Sequence, residues 1–128
     1  MRPEAQAWWD QAQADLLTAR DILTLEHWYA AAFFAQQAAE KAIKALFIVA
    51  ERKESPKTHN LLAIAETLKA PKDVLDATRG LSPVYTVARY PDAANGRPVD
   101  AFNQEIAERR IDDAERVIRW VSRSLQSK

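Results

Sequence analysis

Three groups of side chains in this chain have types and spacings that could do chemistry. The densest is Ser82-Pro83-Val84-Tyr85-Thr86-Val87-Ala88-Arg89-Tyr90-Pro91-Asp92. Tyr85 and Arg89 are four apart and share a helix face, and Tyr90 follows directly. An arginine beside two tyrosines can stack on bases or clamp a phosphate with two parallel N–H donors. A structural alternative has Tyr90 in the core and Arg89 paired with a carboxylate.

The second group surrounds His59, which follows a basic joint of Arg52, Lys53 and Lys57. Six residues separate Arg52 from His59, a spacing used by some metal-independent ribonucleases. There the arginine stabilises charge on phosphorus and the histidine moves protons. Arg20 and His27 show the same spacing, so the match is weakly specific in a chain with 11 arginines. The alternative is a helix-start histidine that hydrogen-bonds locally. The third group is a stripe of Gln37, Glu40, Lys41 and Lys44 in an otherwise apolar segment. Glu40 and Lys44 are four apart with the acid first, the favourable order for an intrahelical pair. One reading is a solvated face; the other turns Lys41 toward a cleft, where its ammonium meets a phosphate or an acidic partner.

These groups need elements to hold them, and the apolar residues define those elements. Ala5, Trp9, Ala12, Leu16, Ala19 and Leu23 advance by alternating steps of four and three. So do Ala32, Ala35, Ala39, Ala42, Leu46 and Val49, and again Ala107, Ile111, Ala114, Ile118, Val121 and Leu125. That rhythm puts each set on one helix face and favours packing at small crossing angles. The fold class is all-α: an antiparallel up-and-down bundle of four to five helices in a single domain over residues 1–128. The first helix runs from about Pro3 to Leu25, and the second from about Trp28 to Arg52. Thr58 caps a third, about His59 to Leu68. A fourth begins near Lys72, breaks at Gly80, restarts at Ser82-Pro83 and ends at Tyr90, because the residue before proline is steered from helical geometry. Residues 91–101 are irregular, and the last helix runs from about Phe102 to Ser124. Glu105–Arg109, Asp112–Arg116 and Glu115–Arg119 should pair along its exposed face.

Composition narrows the functions. Lysine plus arginine and aspartate plus glutamate both number 18, so no net charge advertises adhesion to a phosphate backbone. There is no cysteine, which excludes disulfides and thiolate metal sites. The two histidines lie on different joints, and no metal or cofactor is expected. Gly80 and Gly96 are too far apart for a phosphate-cradling loop. No segment has the length of a membrane span, and the expected location is the cytoplasm.

Ala35-Gln36-Gln37-Ala38-Ala39-Glu40-Lys41-Ala42-Ile43-Lys44-Ala45-Leu46, then Thr58-His59-Asn60-Leu61, then Tyr85 and Arg89-Tyr90-Pro91-Asp92, occur in that order. The ordered set resembles the HEPN (higher eukaryotes and prokaryotes nucleotide-binding) family from about Trp8 to Leu125. The resemblance implies a helical bundle, often a homodimer, that associates with a minimal nucleotidyltransferase protein. It carries Gln37, Lys41, His59, Arg89 and Tyr90 over as positions lining a groove for a nucleotide or RNA phosphate. Some relatives are toxin or defence ribonucleases whose Arg–His motif lies near later helices. This chain has no histidine after His59. The reading is therefore a non-catalytic binding module. The alternative is a metal-independent endoribonuclease using His59 with Arg52 or Arg89.

Overall fold

A computed structural model describes residues 1–128 and contains helices and turns only. Helix α1 spans Pro3–Thr24 and α2 spans Trp28–Glu51. Between them Glu26 takes a left-handed backbone (φ 65°), which reverses the chain in three residues and makes α1 and α2 an antiparallel hairpin. The long C-terminal helix packs chiefly on α2, and also against residues 72–81 and α1.

The expected seams form the core. Ala5, Ala12, Leu16 and Ala19 are buried, as are Ala32, Ala35, Ala39, Ala42 and Leu46. Ala107, Ile111, Ala114 and Val121 close it from the other side, with Ile118 and Leu125 packed against them. Helix α2 is central, and seven of its alanines (31, 32, 35, 38, 39, 42, 45) are inaccessible. Small side chains let neighbouring backbones approach closely, so a helix with little bulk still excludes water on most of its circumference.

The middle of the chain departs from the sequence reading in ways that matter for the site. Helix α3 spans Leu61–Thr67, and its cap is Asn60 rather than Thr58. The Asn60 side-chain oxygen accepts from the Ala63 N–H at 3.3 Å. The Thr58 hydroxyl instead accepts from the Asn60 N–H at 3.1 Å, a local turn that keeps His59 out of the helix. Helix α4, Lys72–Leu81, runs through Gly80 without a break. Gly80 serves close packing: a Cβ there would lie 1.9 Å from Nη1 of Arg110 on the C-terminal helix. The break falls after Leu81, at Ser82-Pro83, and α5 is the single turn Val84–Val87. Tyr90 is extended (φ −122°, ψ 127°), as expected before proline. Residues 91–101 hold more structure than expected: a turn of helix, α6, at Pro91–Ala94 and a 3₁₀ turn at Pro98–Asp100.

Helix α7 spans Gln104–Gln126, with the Asn103 side chain accepting from the Ile106 N–H at 2.9 Å. Its charge pairing is partly different from the expected ladder. Arg109 does bond Glu105, but Glu115 bonds Arg20 of α1 and Arg110 bonds Asp113 at 2.9 Å. A carboxylate facing a neighbouring helix finds its arginine there, and tertiary geometry overrides spacing within one helix.

Candidate functional site

The stripe on α2 is not a solvated face. Gln36, Glu40 and Lys44 are buried. Burying a carboxylate costs several kcal/mol unless its oxygens find donors. Glu40 has three: Gln36 Nε2 at 2.9 Å, Lys44 Nζ at 3.1 Å and His59 Nδ1 at 3.0 Å. No buried side-chain polar atom is left without a partner. Glu40 is thus the hub that ties the 53–60 loop to α2 through His59.

His59 is the exposed end of that hub, with 47% of its side chain accessible. Its ring lies flat on Tyr85, with centroids 3.6 Å apart and planes 10° from parallel. The guanidinium of Arg89 sits 4.8 Å from the Tyr85 centroid. His59 already covers one face of Tyr85, so Arg89 takes the other. Arg89 also lies 5.1 Å from the Tyr90 centroid and 5.7 Å from that of Phe33. His59, Tyr85, Arg89 and Tyr90 therefore form a file of three rings and one guanidinium on the surface. Arg89 has no carboxylate partner within salt-bridge range, and Tyr90 is 44% exposed, so neither takes the structural role that the sequence left open.

Packing beneath fixes the file. Val84 and Ala88 are buried with Ala32 and Phe102, and Phe33 and Ile106 pack on that small cluster. Its buried side pins the single turn α5 to the start of α2, so Tyr85 and Arg89 are held on the outward side. Ser82 adds a second tie by accepting the Leu61 N–H at 3.1 Å, which sets the α4–α5 corner against the start of α3.

Gln37 and Lys41 are placed differently from the three surface residues. The Lys41 ammonium bonds Asp15 of α1, and Asp15 is further held by Gln11 Nε2 at 2.8 Å. Gln37 donates to Gln36 Oε1 at 2.8 Å. Both reach His59 only through Gln36 and Glu40, as supports rather than as free donors. Arg52 ends α2 in a left-handed conformation (φ 54°). It lines a recess with Met1, Arg2, Ile48 and Val49, apart from the cavities that His59 lines. Sequence reasoning missed the role of Glu40 as hub and of Gln36 altogether. Their signal was present: Gln36, Glu40 and Lys44 recur every four residues in an apolar helix, and side chains so spaced share one stripe. No cluster of histidine and acidic side chains has the arrangement of a metal site. No helix is long and apolar enough to cross a membrane.

The site is thus a surface group of stacked aromatic rings and a guanidinium, carried on a small helical bundle. The chain belongs to the HEPN family: the HEPN domain matches residues 5–125. Among solved structures it is similar to TT1696 from Thermus thermophilus, at 30% identity and a TM-score of 0.87, covering 96% of this chain and 99% of that one. An archaeal HEPN homologue, ST0689, aligns at 30% identity and a TM-score of 0.81, over 95% of this chain and 97% of that one. A HEPN domain protein from Thermotoga maritima aligns at 25% identity and a TM-score of 0.73, over 94% and 98%. No curated protein matches the chain.

Proposed function

We propose that this HEPN domain is a non-catalytic binding module whose ligand is a nucleotide, seated on the surface of His59, Tyr85, Arg89 and Tyr90. The observation that carries the reading is the unpaired Arg89 guanidinium between two tyrosine rings. Base–aromatic stacking and charge-assisted bonds to phosphate are each favourable on such a surface. Gln37 and Lys41 act one step back, by fixing Gln36, Glu40 and α1. The module works as a homodimer and docks a minimal nucleotidyltransferase protein, which is what HEPN membership implies. Exposed Leu17, Leu25, Tyr29 and Val99 offer apolar contacts for such partners.

Titration of the purified protein with ATP in a calorimeter tests the reading. Saturable heat is expected, and Arg89→Ala should weaken binding about tenfold with the melting temperature unchanged. Heat that is absent, or indifferent to Arg89, overturns it.

One observation favours the second reading, a metal-independent endoribonuclease. His59 is oriented by a buried carboxylate, the arrangement that sets an imidazole up for proton transfer, and Arg89 stands beyond Tyr85 as a cation for phosphate. Cleavage of single-stranded RNA in excess chelator, abolished by His59→Ala, would select it over the binding module.

A further inference from the structure

The 3₁₀ turn at Pro98–Asp100 lies against α2, and a recess opens there near the start of that helix. It has a volume of about 270 Å³ and is lined by Tyr29, Ala88, Arg89, Arg97, Pro98 and Val99. Its only charged lining residues are the two arginines. The larger cavity beside Trp8, by contrast, mixes Glu4 and Glu54 with Lys44 and Lys57. Two guanidiniums around one recess, with no carboxylate in its wall, favour an anion. Each presents N–H donors in a fork that matches phosphate oxygens.

Arg89 is the one residue common to this recess and to the file of His59, Tyr85, Arg89 and Tyr90, so the two are continuous. Arg97 is held in place from behind. Its Nε donates to Asp100 Oδ2 at 2.8 Å and its Nη2 to Asp100 Oδ1 at 3.0 Å. That occupies one edge of the guanidinium and leaves the Nη1 donors free. Asp100 offsets part of the charge while it aims the fork. Arg89 thus supplies the net positive charge, and Arg97 supplies directed donors. Tyr29 is exposed, belongs to neither core cluster, and has no aromatic ring or cation stacked on it. Its hydroxyl can donate a further hydrogen bond to an anion. Sites that enclose a whole small molecule measure about 300–1,000 Å³, so this recess suits phosphoryl groups rather than a complete nucleotide.

Resting on the nucleotide reading above, we propose that the recess seats the terminal phosphates of a nucleoside polyphosphate, with Arg97 and the Tyr29 hydroxyl as their ligands. Arg89, at the boundary, meets the phosphate nearest the nucleoside, and Arg97 meets those beyond it. The preferred ligand is therefore a nucleoside triphosphate rather than a monophosphate.

Calorimetric titrations with AMP and ATP test the proposal. ATP should bind about tenfold or more tighter than AMP, the gain of charge-assisted bonds to the added phosphates. Arg97→Ala should remove that gain and leave the AMP affinity unchanged, so AMP also shows that the variant is folded. Tyr29→Phe, which removes a single hydroxyl, should weaken ATP about threefold. Arg109→Ala removes an exposed arginine of α7 and should leave ATP binding as it was. If it weakens ATP as much as Arg97→Ala does, the effect is general charge attraction and the seat is overturned. If AMP and ATP bind alike, or Arg97→Ala weakens both equally, or the gain survives Arg97→Ala, the seat is overturned while the nucleotide reading stands. A change of oligomeric state in Arg97→Ala with ATP affinity intact would make the recess an interface between copies and would also overturn it. If no nucleotide binds, both readings fall together.

Discussion

Glu40 carries two tasks that pull in the same direction. It neutralises the buried ammonium of Lys44, and it fixes His59 by the Nδ1 edge so that the ring can lie on Tyr85. Replacing it with leucine leaves Lys44 buried without a counter-charge. Glu40→Leu should cost about 3 kcal/mol of stability, readable as a lower urea midpoint. Glu40→Gln keeps the shape and one acceptor, so its cost should be smaller. Glu40→Leu should also release His59 from Tyr85. By contrast Tyr90→Ala removes an exposed ring, and its stability change should stay within about 0.5 kcal/mol. A large loss of stability in Tyr90→Ala would mean that Tyr90 is a structural residue.

At the level of elements, the caps set where the site residues fall. Asn103 begins α7 and Asn60 begins α3, each accepting an N–H three residues on. Asn103→Ala should cost about 1 kcal/mol in chemical unfolding. The long helices were legible in the sequence because Ala5 to Leu23, Ala32 to Val49 and Ala107 to Leu125 repeat over several turns, and a period so sustained has one explanation. Tyr85, Arg89 and Tyr90 were legible as a group because four-residue spacing and the Tyr90-Pro91 junction are local facts. What was not legible depends on contacts between distant segments. The start of α3 turned on a competition between Thr58 and Asn60, two good capping residues. The use of Gly80 inside α4 turned on Arg110, thirty residues away, whose guanidinium fills the space a Cβ would take. The burial of the Glu40 stripe turned on His59 and on α1 covering α2, which no spacing within α2 reveals.

Across the whole molecule, charge is balanced in number but not in environment. Asp113 on α7 is partly buried, and that burial raises its pKa above the usual aspartate value despite attraction to Arg110 and Arg116. A carboxyl whose folded pKa is raised favours the fold while protonated. That contribution is complete below the unfolded pKa and is lost as pH rises through the folded one. Asp113→Asn should therefore raise the melting temperature at neutral pH, with the gap to the parent protein closing as the medium is acidified into the carboxylate range. Thermal melts between about pH 3 and pH 7 check this. A gap that widens toward acid pH would show that the ion pair with Arg110 outweighs burial. The alanine-rich α2 makes an independent demand on the same scale. Ala39→Leu should destabilise the bundle by about 1–3 kcal/mol, since a fully buried alanine leaves no room for added bulk.

The claim on which the rest depends is that a nucleotide lies against the file of His59, Tyr85, Arg89 and Tyr90. Backbone amide chemical shifts recorded during titration with ATP test it most directly, residue by residue. The account predicts that the amides of residues 58–60 and 82–90 move together and saturate, while those on the outer face of α7 stay in place. Movement confined to α7 or to the Arg52 recess, with residues 82–90 unmoved at saturation, would contradict it.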